Sequence, residues 1–163
     1  MRNQREYLAA YAESHRHPTN VAIHLACVPV IVIATLGLLW ALPVGAWLGL
    51  PAPWAAWVNG ATLAAVPAML FYARLSAAAV AIMALWFAAS VATILGVQAL
   101  GLPLAGTMLA LWVAAWAVQF VGHHVEGAKP SFVDELPFLL IGPLFVTDEV
   151  LGHPLAGGKG AAA

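Results

Sequence analysis

Apolar residues run almost unbroken through four stretches of the chain, and polar residues gather between and around them. The first stretch starts after Pro18 and continues to about Leu42, where Pro43 and Gly45 end it. The second runs from about Ala55 to Tyr72, with Pro67 inside it and Arg74 marking the turn beyond. The third runs from Ser76 to about Leu100 and the fourth from Leu104 to Val121, joined by Gly101-Leu102-Pro103. Each predicts a transmembrane helix, because a bilayer core takes about 20 apolar residues of helix. Pro67 is expected to kink its span rather than break it. Gly60, Ala64 and Ala68 have the spacing of close helix contacts within lipid.

The flanks read differently. Residues Met1 to His17 carry Arg2, Arg5, Glu6, Glu13 and Arg16, with Tyr7, Leu8 and Tyr11 at helical spacing, a pattern that predicts an amphipathic helix lying at the interface. Pro18 disfavours helical geometry at His17 and suits the first turn of a new helix. Beyond the fourth span, Gly127 offers a helix stop and Ser131 to Asp134 have capping-box spacing. The apolar run from Leu136 to Val146 is too short to cross a bilayer and is interrupted at Gly142-Pro143, which predicts a re-entrant or interfacial segment. The Gly/Ala tail, residues 156–163, predicts no ordered structure. The expected fold is therefore all-α and integral to a membrane: four transmembrane helices, an N-terminal interfacial helix and a C-terminal re-entrant or interfacial segment, with residues 1–155 as one domain.

Composition strengthens the membrane reading. Of 163 residues 63% are hydrophobic and 8% charged, and the mean hydropathy is +0.91, far from the range of soluble domains. A net charge of −1 without a basic stripe excludes a nucleic-acid partner. The single cysteine, Cys27, excludes an intrachain disulfide. The polar N-terminus and the length of the first apolar run predict a retained span rather than a cleaved signal. With four spans, all six Lys/Arg fall on the side shared by the two termini. The positive-inside rule makes that side cytoplasmic, in the inner membrane if the chain is bacterial. All seven Asp/Glu and all six His lie there or close to it, so one face carries the chemistry.

Two remote segments meet on that face. Near the start stand His15, His17, Asn20 and His24, with Asn20 and His24 at i, i+4. A hundred residues later come Gln119, His123, His124 and Glu126, with Gln119 and His123 at i, i+4 and Glu126 three residues on. Imidazole with carboxylate is a ligand set for zinc, copper, nickel or iron. His24 lies about a turn inside the apolar region, where an unpaired polar group is costly. His17, His124 and His153 have weaker claims, since each can simply face water, and Glu126 and Glu149 would be ligands, orienting partners or ion pairs.

The residues resemble the fungal endoplasmic-reticulum 2-hydroxy fatty acid dioxygenase family. One signature comprises Tyr11, His15, Pro18, Asn20, Val21, Ile23, His24 and Val28-Pro29. The other comprises Gln119-Phe120-Val121-Gly122-His123, Glu126, Pro130, the Leu-rich run, Pro143, Phe145 and Glu149. His124 stands where the fungal type has glycine, His17 where it has asparagine, and Glu126 is one residue closer to His123. The resemblance implies an Fe(2+)-dependent membrane enzyme of fatty acid α-oxidation, which cuts a long-chain 2-hydroxy fatty acid with O2 to an acid one carbon shorter. In fungi this serves phytosphingosine degradation. His15, His24 and His123 would be metal ligands, Glu126 a fourth ligand or a partner behind them, and Asn20, Gln119 and Glu149 orienting groups. Two other readings remain open on the residues alone: a haem electron carrier using His24 and His123, and a non-catalytic membrane scaffold with interfacial histidines.

Overall fold

A computed structural model describes residues 2–133 and 135–156. Every regular element among them is helical. Helix α1 (Gln4–Ala12) starts at Asn3, whose side chain accepts from the Glu6 N–H while the Glu6 carboxylate accepts from the Asn3 N–H. This reciprocal cap satisfies two donors that a helix start otherwise leaves unpaired. Tyr7, Leu8 and Tyr11 form its buried stripe.

Helix α2 (Pro18–Trp40) has Pro18 in its first turn, as its fixed φ favours. Two short helices, α3 (Val44–Trp47) and α4 (Trp54–Trp57), form the far-end connection, where the Gly45 N–H donates to the Val58 carbonyl at 2.6 Å. Helix α5 (Gly60–Leu75) returns, α6 (Ala77–Ala99) runs out again behind a Ser76 cap, and α7 (Leu104–Glu126) comes back. A single 3-10 turn, Ser131–Val133, leads to α8 (Phe138–Leu151).

Two apolar clusters fix this alternation. At the near end Tyr7, Leu8 and Tyr11 pack with Tyr72 of α5, Met83 of α6 and Phe138 of α8. At the far end Ala34 of α2, Ile94 of α6 and Met108 of α7 meet. The small residues stand where helices approach closely: a Cβ on Gly60 would strike the Leu39 carbonyl, and one on Gly37 would strike Met108. Leu63, Val66, Leu70, Leu85, Leu109 and Val113 face outward, as lipid-facing positions do.

Three helical segments among the described residues, not four, are long and apolar enough to cross a membrane: Pro18–Trp47, which is α2 together with α3, Ala77–Ala99 and Leu104–Glu126. The expected second span divides. Asn59 caps α5 by accepting from the N–H groups of Ala61 and Thr62, which separates it from Trp54–Trp57. The remaining 16 residues make a helix roughly 24 Å long, short of a hydrocarbon core of about 30 Å.

The C-terminal segment also departs from expectation. Helix α8 passes through Gly142-Pro143 instead of breaking there. The Tyr72 hydroxyl donates to the Leu140 carbonyl at 2.8 Å, in the turn that Pro143 loosens, and Ile141 to Val146 are all buried, so neighbouring helices hold what local propensity would not. Asp134, the end of the expected capping box, and residues 157–163 of the expected tail lie outside the described residues.

Candidate metal centre

His15 reaches the centre from the turn between α1 and α2, His24 from the second turn of α2, and His123 from the last turn of α7. All three are buried, and one ligand atom from each lies within 4.8 Å of the others. The ring centroids are 4.2 Å apart for His15 and His24, 5.1 Å for His15 and His123, and 4.9 Å for His24 and His123, with each pair edge to face. Gly127 closes α7 in the left-handed region at φ 72°, so that helix ends just past His123.

The hydrogen bonds behind the rings decide which nitrogens face inward. His15 Nδ1 lies 2.6 Å from the Tyr11 carbonyl, and His24 Nδ1 lies 2.9 Å from the Asn20 carbonyl. A carbonyl oxygen only accepts, so each Nδ1 carries its proton and each Nε2 presents a lone pair. Those two Nε2 atoms are 2.9 Å apart. Two lone pairs at that distance repel unless a cation stands between them. A proton is a poor candidate, because burial lowers the His15 pKa to about 4 and holds its ring neutral. The donor set therefore fits a transition metal ion. Tyr11 completes the orientation by stacking on the His15 ring at 4.1 Å.

Glu126 is not among the converging ligand atoms. Its Oε1 accepts from the Arg16 N–H at 3.0 Å, and its Oε2 accepts from the His17 N–H at 2.9 Å and from Asn20 Nδ2 at 3.1 Å. The carboxylate is thus spent on the start of α2, whose unpaired N–H groups and positive dipole end attract it. Asn20 also donates to the Ser14 carbonyl at 3.1 Å, so one amide ties the His15 turn to both helices.

Gly122 lets α7 approach at this level, since a Cβ there would collide with the Asn20 side chain and press on Ile23. Asn20 has two anchors and cannot swing away. Gly122→Ala should therefore destabilise the protein by about 1–3 kcal/mol. Gly96→Ala, with nothing within 4 Å of its added methyl, should be neutral or gain a few tenths of a kcal/mol. Thermal unfolding of the two variants in detergent checks the contrast.

The other expected residues separate. Gln119 is buried one turn before His123 and lines the same cavity. Glu149 is drawn to the C-terminus, with its Oε1 3.7 Å from His153 Nδ1, which also lies 3.5 Å from Asp148 Oδ2. His17 caps α2, its Nδ1 accepting from the Thr19 N–H, and His124 is exposed. A haem held by His24 and His123 does not fit. The His15 ring centroid stands 4.2 Å from that of His24 and 5.1 Å from that of His123, so a third imidazole crowds the space that a macrocycle between those two residues would need.

Sequence reading missed Trp116, which lines the cavity beside Gln119 and His123. The signal was present, since positions 116, 119 and 123 share one helical face. It also passed over Ser14 and read Ser131 only as a helix cap, whereas their hydroxyls meet at 2.6 Å, with Ser14 Oγ 3.2 Å from His15 Nδ1. That pairing depends on a contact between distant segments.

A family model described as 2-hydroxy-palmitic acid dioxygenase Mpo1-like matches residues 1–154. No curated protein matches the chain, and no solved structure does.

Proposed function

The chain belongs to the Mpo1-like family, and from that premise we propose that it is an iron(II)-dependent dioxygenase of fatty acid α-oxidation, converting a long-chain 2-hydroxy fatty acid with O2 to the acid one carbon shorter. The observation that carries this reading is the convergence of three buried imidazoles on one point. The Nε2 atoms of His15 and His24, 2.9 Å apart, are close enough to share one ion.

The reaction balances without a reductant. R–CH(OH)–COOH and O2 give R–COOH, CO2 and H2O; the C1–C2 bond breaks, and C1 and C2 together lose the four electrons that dioxygen takes up. Bound iron(II) would supply dioxygen activation and grip the 2-hydroxy carboxylate, which three protein ligands leave room for. His15, His24 and His123 would hold it. The Tyr11 and Asn20 carbonyls fix two of those rings, Glu126 and Asn20 hold the turn that carries His15, and apolar side chains such as Val28, Ile31 and Phe132 line the adjoining cavity and exclude water. That cavity, about 50 Å³, suits a head group, so the acyl tail lies among the helices or in lipid, where dioxygen also partitions.

Arg2, Arg5, Arg16, Arg74 and Lys129 lie in or beside the segments that carry the site, and by the positive-inside rule this supports a cytoplasmic face for the site and for both termini, in the inner membrane if the chain is bacterial. Protein purified without oxygen should carry near-stoichiometric iron and release one CO2 for each O2 consumed with 2-hydroxypalmitate. Iron-free protein that turns over undiminished, or loaded protein that consumes no oxygen, would sink the reading.

A further inference from the structure

Four buried polar side-chain atoms among the described residues have no hydrogen-bond partner within the protein: Asn20 Oδ1, Trp116 Nε1, Gln119 Oε1 and His123 Nδ1. Three of these residues form one stripe of α7, and Trp116, Gln119 and His123 all line the cavity that also reaches the His15 ring. His123 belongs to the metal centre. Trp116 and Gln119 do not, and Gln119 is only 5% exposed. An unpaired buried donor or acceptor is a standing cost to the fold. Two of them, one turn apart and beside three converging imidazoles, are a built recognition pair.

The chemistry of the pair is specific. An indole N–H only donates, and the amide Oε1 only accepts. A 2-hydroxy carboxylic acid presents the complement on adjacent carbons, with a carboxylate that accepts and a hydroxyl proton that donates. We propose that Trp116 and Gln119 select the substrate head group: the Trp116 N–H donates to the carboxylate, and Gln119 Oε1 accepts the 2-hydroxyl proton, leaving the oxygen lone pairs directed at the histidine centre. A fatty acid without the hydroxyl would leave Gln119 unpaired and be rejected, the mode by which buried polar groups discriminate most strongly. This assignment rests on the oxygenase reading. Water alone is the competing occupant, since about 50 Å³ holds a few water-sized groups.

Calorimetric titration of the full chain in nanodiscs, under argon, with 2-hydroxyhexadecanoate and with hexadecanoate separates the two. Wild type should prefer the hydroxy acid by about tenfold or more. Gln119→Leu should cut that preference by about threefold or more while leaving hexadecanoate affinity unchanged, the remainder being the hydroxyl's own affinity for the histidine centre, and its unliganded form should melt no lower than wild type, because a buried unpaired acceptor has been removed. Trp116→Phe should weaken both acids alike, since both carry the carboxylate. Wild type that consumes O2 with 2-hydroxyhexadecanoate, together with Gln119→Leu that keeps the full preference, overturns the recognition pair and leaves the oxygenase reading standing. Wild type that binds both acids equally and consumes no O2 overturns both.

Discussion

Replacing His24 by alanine is expected to abolish metal retention and oxygen consumption together, while the chain still inserts and folds. His24 is fully buried, its Nε2 lies 2.9 Å from that of His15, and its Nδ1 is committed to the Asn20 carbonyl. Groups behind a ligand typically contribute 10–100-fold in metal affinity, so loss of the ligand itself should exceed about a hundredfold. The stability response combines two opposing effects. Without metal, the two facing lone pairs of His15 and His24 are repulsive, so the substitution relieves a strain as it opens a small cavity. Added iron should raise the melting temperature of wild type, because it binds only the folded form, and should leave that of His24→Ala unmoved. His15→Ala and His123→Ala should behave alike. His17→Ala should lose about 1 kcal/mol, since that side chain caps α2, and keep the metal. Metal analysis with melting curves across the four variants checks this; iron bound equally by His24→Ala and wild type would show that the three imidazoles are not a ligand set.

Local patterns made part of this centre readable in advance. The i, i+4 pair Asn20 and His24 and the Gln119, His123, Glu126 face follow from helical periodicity, and Pro18 and Gly127 mark the ends between which they fall. Periodicity does not give the path of a turn. His15 faces His24 because the Arg16 and His17 amides bond Glu126, residues 110 and 109 positions away, and no local signal encodes that. The same limit explains the far-end error. An apolar run from Ala55 to Tyr72 looks continuous until Asn59 is seen capping α5 and Gly60 lying against the Leu39 carbonyl. For α8, Gly142-Pro143 is a breaker by propensity. Burial of Ile141, Leu144 and Phe145 against α1 and its neighbours overrides it.

Glu126→Gln is expected to weaken iron binding by about 10–100-fold without changing the loaded centre itself. Both carboxylate oxygens accept from the segment that carries His15: Oε1 from the Arg16 N–H, Oε2 from the His17 N–H and from Asn20. The glutamine has one acceptor oxygen and one NH2 group, so at least one of those backbone donors would face another donor. The turn should loosen, His15 should sample orientations away from His24, and folding stability should fall by about 1.5–3 kcal/mol, the range for hydrogen bonds to a charged group. A positioning role and a ligand role then separate by spectroscopy. With cobalt substituted at saturating concentration, Glu126→Gln should give the wild-type electronic absorption bands at a higher cobalt requirement. Glu126→Asp, which keeps the charge on a shorter arm, should recover part of the affinity. A shifted spectrum in saturated Glu126→Gln would instead place the carboxylate on the metal and make it a ligand after all.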